Sequence, residues 1–581
     1  MRDSQAARSV ADGNHNAIVL VAVPILAPTL PTLPAVANLA SCRSSILQAP
    51  TFLGGGFVRT RSSTKIFLLS AISLLLAVSA CAQTNPQHGQ KDSPLTARIE
   101  RVENGIPPIP LSGAEPPLQL NLEKLIELYK VPGLSVAVID NFKVAWAKGY
   151  GVTEAGGNHP VTVHTLFQAG SISKPVAATG TLSLVEQGRL SLDENVNRKL
   201  KSWQVPDNEF TKDQKVTLRR ILSHSAGLTV HGFPGYTAGS PIPTLVQIFN
   251  GEPPANTAPI RVDFVPGTKF RYSGGGVTIE QQLVIDVTGK PFPQFMRETV
   301  LDKIGMADSS YEQPPPPGRA AMAATATHAD GMPVPGKWHI YPEMAAAGLW
   351  TTATDLAKFG IEIALSKQGK ANHVLSEATT REMLKPQIEQ VGLGFFLGQN
   401  KNPEEFGHNG ADEGFQAVLI MFADSGKGVA IMANSDNGIA VAKALTGSVA
   451  KEYAWNYTPD QASATDLLML VANAKGPQAV LARYSELKTA GSSSPYALDE
   501  NTLIALGYHF LFAGQTDAAI QILQREVQDY PQFWNAYDSL GEAYLKAEQK
   551  EAAIENYQKS VDLNPQNQDG VEALKKLRGQ K

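Results

Sequence analysis

Leu166-Phe167-Gln168-Ala169-Gly170-Ser171-Ile172-Ser173-Lys174 is the stretch on which the reading of this chain turns. From Gln168 it opens a segment that reads as a helix to about Gln187, with Gly188 as its stop. Ser171 and Lys174 stand at i and i+3, one turn apart on a shared face. Residues 176–185 are apolar or small on every side, the pattern of a buried helix. A lysine in such a helix is costly unless it is paired or functional, because burial favours its neutral form. A neutral amine can take the proton of a serine hydroxyl. The start of a helix also favours the negative charge that would develop at Ser171. A serine three residues before a lysine is common by chance, so the pair needs its neighbours to mean anything.

The neighbours follow in order. Ile221-Leu222-Ser223-His224-Ser225-Ala226-Gly227-Leu228 comes first, then Phe264-Val265-Pro266-Gly267 and Phe270-Arg271-Tyr272-Ser273-Gly274. Ala347-Gly348-Leu349-Trp350-Thr351-Thr352 with Asp355-Leu356-Ala357 is next, and Gly407-His408-Asn409-Gly410 closes the series. Together these stretches resemble the serine β-lactamase and penicillin-binding superfamily, in its branch of class C β-lactamases, D-aminopeptidases and related esterases, and the resemblance extends over about 340 residues.

The resemblance implies roles. Ser171 is the nucleophile and Lys174 the adjacent general base. Tyr272 opens the second motif; its phenol shares protons with Lys174 and passes one to the leaving group. His408-Asn409-Gly410 falls where β-lactamases carry Lys-Thr-Gly, on a strand edging the cleft, with Gly410 permitting close approach of substrate. The oxyanion hole uses the backbone N–H groups of Ser171 and Ala411, and removing one such donor typically costs about 3 kcal/mol. One position departs from the pattern. Gly274 stands where the family has an asparagine whose amide grips the acylamino group of the substrate. That loss, with His408 in place of a lysine that binds a carboxylate, argues against efficient β-lactam hydrolysis and leaves the nucleophile machinery intact.

Other marked residues read as structural. His224 is a helix-end histidine bonding backbone, Asp355 a helix N-terminal residue, and Ser435-Asp436-Asn437 a strand-end turn.

Working outward, 131–140 and 142–149 read as two strands around an Asp140-Asn141 turn. Residues 392–398, 414–422 and 428–434 read as closely spaced strands, and 439–455 as a closing helix. Strands at both ends with helices between them predict an α/β (α+β) domain over 115–457, one antiparallel sheet closed by its own termini. The resemblance adds a helical subdomain.

The chain has 581 residues, with 50 Lys+Arg against 54 Asp+Glu and a net charge of −4. Without a basic surplus, nucleic acid is excluded as the main partner. The two cysteines, Cys42 and Cys81, leave no thiol beyond residue 81, which removes disulfides, thiolate metal sites and a cysteine nucleophile from the folded body. The 11 histidines are scattered, with no His-Glu-x-x-His, so neither a metal nor a cofactor is expected.

Residues 1–83 read as a leader. The run IFLLSAISLLLAVSA over 66–80 is too short to span a membrane, follows Arg59, Arg61 and Lys65, and ends in a lipobox-like Val78-Ser79-Ala80-Cys81. Cys81 would then carry lipid, the alternative being ordinary cleavage after Ala80-Cys81-Ala82, and either way the protein is exported, periplasmic or anchored to the membrane by that lipid alone. Translation is expected to begin near Val58. Residues 84–114 are polar and Pro-rich and read as a tether.

The last part, 466–581, changes character. Gly507 and Gly541, Ala519 and Ala553, and Pro531 and Pro565 are each 34 residues apart. This resembles the tetratricopeptide repeat, with a further helical pair over 466–487 and a capping helix over 570–578. The tail reads as a separable module, either a stabilising appendage or a site for a protein or peptide partner. Two functions are carried forward: a secreted serine hydrolase acting on a small-molecule or short-peptide substrate, and a slowly acylating penicillin-recognising protein whose repeats recruit a partner.

Overall fold

The computed structural model describes residues 94–113, 115–399, 402–457, 462–565 and 567–579. Cys81, the leader 1–83 and the first ten residues of the 84–114 segment lie outside the described residues.

Six strands make one sheet: β1 (Gly133–Asp140), β2 (Lys143–Gly151), β3 (Phe396–Leu397), β4 (Glu405–Asp412), β5 (Phe415–Phe422) and β6 (Lys427–Ala433). Their order is β2-β1-β6-β5-β4-β3, and every pairing is antiparallel. The first strand lies beside the last, with Val136 opposite Ile431, so the sheet is closed by its own ends as the sequence predicts. β1 and β2 turn through Asn141 and Phe142, both at positive φ (52° and 57°), the geometry that suits a two-residue hairpin loop. Of 392–398 only Phe396 and Leu397 pair, whereas 405–412 forms a full strand. Gly407, Asn409 and Gly410 hide that strand from propensity, and its pairing with β5 makes it.

Among the helices used below are α1 (Pro94–Asn104), α2 (Leu122–Leu128), α3 (Ser173–Glu186), α4 (Gly274–Thr288), α5 (Ala353–Lys367) and α6 (Gly438–Glu452). Side chains alternate across the strands, so the sheet feeds two interiors. Ala137, Ile139, Leu419, Met421, Ala430 and Met432 join one cluster with buried residues of α3, α4 and α5. Leu134, Val136, Val138, Val418, Val429 and Ile431 join the other, with α6.

That second interior corrects two expectations. The described part of the 84–114 tether is not a tether. Val102 on α1 is fully buried, its carbonyl accepts a 2.6 Å bond from Ser448 Oγ, and Arg101 forks onto Glu452. Nor is the tail a separate body. It runs through α7 (Ala464–Lys475), α8 (Pro477–Ala490), α9 (Thr502–Phe512), α10 (Thr516–Asp529), α11 (Trp534–Lys546), α12 (Lys550–Leu563) and α13 (Gln568–Arg578). Leu467, Leu468 and Val471 of α7 belong to the same cluster as the sheet's Val136 and Ile431. Tyr129 Oη donates to the Asp466 carbonyl at 2.8 Å, and Lys443 pairs with the Asp466 carboxylate at 3.2 Å. α6 covers that side of the sheet, and α7 extends the same interior from beside α2. Within the tail, Gly507 and Gly541 do allow close helix approach: a Cβ on Gly507 would fall 2.5 Å from Leu523, and one on Gly541 3.1 Å from Tyr557. No helix among the described residues is long and apolar enough to cross a membrane.

Candidate active site

The chain enters α3 through one tight turn, Gly170–Ile172, and Ser171 sits half-buried on it. Gly170 has φ +49°, and a Cβ there would lie 2.5 Å from the Ala411 nitrogen. A Cβ on Gly410 would lie 1.8 Å from the Ala169 carbonyl oxygen. The two glycines let β4 press backbone to backbone on the serine turn. Gly410 was expected to make room for substrate; the chain's own Ala169 carbonyl fills that room. The same contact brings Ala411 beside Ser171. From β4 the buried Asp412 accepts the Gly170 N–H, tying the turn in place.

α3 is buried from Ser173 to Leu184, as its composition requires. Lys174 Nζ lies 2.8 Å from Ser171 Oγ and donates at 2.7 Å to the Ala346 carbonyl. Burial pulls its pKa down to about 7, against the opposing pull of Asp412 and Glu280. The Tyr272 phenol is hydrogen-bonded to Ser171, and burial holds it well above its ordinary pKa, so it keeps its proton. Lys174 Nζ stands 5.0 Å from the centre of the Tyr272 ring. The structure therefore brings Ser171, Lys174 and Tyr272 together.

His224 explains how Tyr272 is held. Its carbonyl accepts from Arg271 N at 2.8 Å, its Nδ1 accepts from Ser273 N at 3.1 Å, and its ring packs 4.3 Å from that of Tyr272. The backbone on both sides of the phenol is fixed by one histidine, which bonds backbone as expected. Ser273 then caps α4, accepting from Gly276 N at 2.9 Å.

His408 lies on β4 with its ring 6.1 Å from Tyr272 and 5.0 Å from Phe396. Its Nδ1 donates to the Asn409 carbonyl, which leaves Nε2 an acceptor, buried and without a partner in the chain. Burial, with Lys174 nearby, drops its pKa to about 3, so it is uncharged in any ordinary buffer. Gly274 is the first residue of α4, and it does not face open space. A Cβ there would meet the His231 carbonyl at 3.0 Å and the Phe233 ring at 3.1 Å.

Several residues of the site carried no mark in the sequence. Asp412 and His231 reach it only through the fold, one from the β4 strand and one from a loop. Glu280 on α4 accepts from Thr181 on α3 at 2.6 Å, and burial lifts its pKa to about 8. Glu343 is fully buried with both oxygens unpartnered, and its pKa also rises to about 8. Acids this buried are neutral over much of the working range, which spares them the cost of a buried charge.

Among the described residues, His328, Glu413 and Asp436 hold potential metal-ligand atoms within 4.8 Å of one another. The two carboxylates push the His328 pKa up to about 10. A protonated imidazole between two acids is an ion pair. It pins the turn after β6, where Asp436 also accepts Gly414 N at 2.7 Å, and this agrees with reading Ser435-Asp436-Asn437 as a strand-end turn.

The family model described as Beta-lactamase matches residues 118–454. An unguisins hydrolase from Aspergillus violaceofuscus is 26% identical over 355 residues, covering 53% of this chain and 59% of its own length. A beta-lactamase from Pseudomonas fluorescens is 28% identical over 193 residues, or 33% of this chain and 49% of its own length. One from Lysobacter lactamgenus is 27% identical over 303 residues, or 51% and 69%. The chain thus spans about half the length of the first two of these relatives. The family match stops before α7.

Proposed function

This chain belongs to the beta-lactamase family and is a hydrolase of that family, and we propose that it works through an acyl-enzyme on Ser171 with neutral esters or D-aminoacyl amides as its preferred substrates. The observation that carries this reading is Lys174: its amine is 2.8 Å from the Ser171 hydroxyl and titrates near 7. Neutral Lys174 takes the hydroxyl proton as Ser171 Oγ attacks the substrate carbonyl carbon. The oxyanion forms against the backbone N–H groups of Ser171 and Ala411. Tyr272, which holds its proton, passes it to the leaving oxygen or nitrogen as that bond breaks, and Lys174 returns a proton to the phenol. Water, activated by the same pair, then releases the acid and frees Ser171.

His408 supports the choice of substrate. A β-lactam brings a carboxylate, and this position offers an uncharged ring with no positive charge to pair with it. A charged hydrogen bond is worth about 1.5–3 kcal/mol, so losing it costs roughly 10- to 100-fold in specificity. Steady-state kinetics on a short p-nitrophenyl ester, a D-amino-acid amide and a chromogenic cephalosporin test this. A cephalosporin constant above that of the ester would restore β-lactamase as the function. One equivalent of product without turnover would favour the slowly acylating binding protein.

The tail is read as tetratricopeptide-type repeats. The core it shares with the sheet supports a stabilising role over partner capture. Export with lipid on Cys81 rests on the leader residues alone, and mass spectrometry of the mature N-terminus tests it.

A further inference from the structure

The space at Gly274 is occupied by a short loop, residues 229–233, that docks on the start of α4. Ser273 Oγ donates to the Thr229 carbonyl at 2.8 Å. Gly275 N donates to the Val230 carbonyl at 3.0 Å, and Gly274 N to the His231 carbonyl at 2.9 Å. A side chain at Gly275 would forbid this docking, since a Cβ there would come within 2.7 Å of the Thr229 carbonyl, and one at Gly274 would press on the His231 carbonyl at 3.0 Å. The loop is held under strain: Val230, a β-branched residue, sits at φ +64°, where such residues are genuine outliers. Strain of this kind persists only where the surroundings impose it, and it gathers at functional sites.

What the strained turn delivers is His231. Its backbone covers Gly274, and its ring packs 4.9 Å from the ring of Tyr272 at a tilt of 44°. The residue remains exposed to solvent, and among the described residues its ring makes no hydrogen bond. The loop that leaves no room for a side chain at 274 thus presents a polar ring of its own beside the catalytic phenol.

We propose that His231 is a substrate-binding residue whose imidazole N–H donates a hydrogen bond to a carbonyl oxygen carried on the acyl group, such as that of an acylamino substituent. This rests on the reading of Ser171 as nucleophile. Partial desolvation of the ring where it packs on Tyr272, and the nearby Lys174, lower the His231 pKa, so the ring meets substrate neutral, with one donor and one acceptor. A neutral donor favours an amide or ester carbonyl and gives a carboxylate no charge to pair with. The handicap on β-lactams then lies in their carboxylate, at His408, and the specificity at His231 is for uncharged acyl groups that carry a second carbonyl.

Two p-nitrophenyl esters of matched chain length test this: the pentanoate and the N-acetylglycinate, which differ by the amide. Wild-type protein should prefer the N-acetylglycinate in kcat/KM. In His231→Ala that preference should fall by about tenfold, the value of one hydrogen bond, with the change in KM. His231→Gln, which restores a neutral donor, should recover most of it. An unchanged ratio in His231→Ala, or a glutamine variant as poor as the alanine one, would overturn the assignment and leave His231 as packing for Tyr272. Wild-type turnover of both esters with no preference would sink the proposal while the hydrolase reading stands. Turnover of neither ester, with no fluorophosphonate label on Ser171, would sink both.

Discussion

One sheet divides two unlike interiors. On the side of α3 and α4, a lysine, two glutamates, an aspartate and two histidines are buried within the same region, and Glu343, His408 and Asp412 leave polar atoms there without partners. On the opposite side, Leu134, Val136, Val138, Val429 and Ile431 face aliphatic neighbours and Trp146 Nε1 donates to Tyr453 Oη at 3.0 Å, while unpartnered groups such as the Glu526 carboxylate lie out in the tail. The first arrangement is costly and the second is not. The difference teaches where this protein keeps its stability: the dry face, shared with the tail, supports a wet face whose groups are tuned for proton transfer.

The sharpest way to break that contrast is at Ser171. Ser171→Ala should lower ester kcat/KM by about 10⁴-fold or more and leave the melting temperature within a few degrees of wild type. Near-wild-type rates would remove the chemistry from this face. Ending the chain at Tyr457 attacks the other side. It strips α7 from the second core, and the truncated protein should melt at least about 10 °C lower or fail to stay soluble. A truncation that melts like the full chain would make the tail the separable module that its periodicity suggests.

Leu468→Ala sharpens the point at one residue. Leu468 is fully buried in the shared cluster, so the change should cost about 2–5 kcal/mol in a denaturant titration, with ester kcat/KM at 25 °C within twofold of wild type. A comparable loss of activity would mean that the two interiors are coupled. The smallest effect is the dependence on pH. Lys174 acts as a base only when neutral, and burial holds its pKa at about 7. Ester kcat/KM should therefore rise about tenfold per unit below that pH and level off above it. His224 and His408 are shifted well below their usual range and cannot supply this limb. A limb near 10 would show that Lys174 does not feel its burial.

What was legible in the sequence was local. Ser171 and Lys174 share one helical turn, and the apolar run behind them announces burial before any fold is known. The hairpin of β1 and β2 and the helices of the tail are equally local. What was not legible depended on distant chain meeting. Asp412 is one more acid after a strand until β4 carries it to Gly170, and His231 is a loop histidine until Gly274 and Gly275 let its backbone dock. The apolar face of α7 could be read, but not the interior it joins beside α2. The misread tether is different, because its signal was present. Leu95, Ile99 and Val102 follow helical spacing along α1, masked by the prolines and charges around them.

The pairing of β1 with β6 has a consequence in time. Val136 and Ile431 meet across roughly 300 residues of chain. At the usual pace of synthesis, about 5–20 residues per second, the β1–β2 hairpin emerges with one edge bare and waits on the order of 15–60 s for its partner strand. An unpaired edge is a template for other chains. α6, which covers the face behind that edge, leaves the ribosome just after β6, so the newborn chain stays vulnerable to aggregation until that helix has been made.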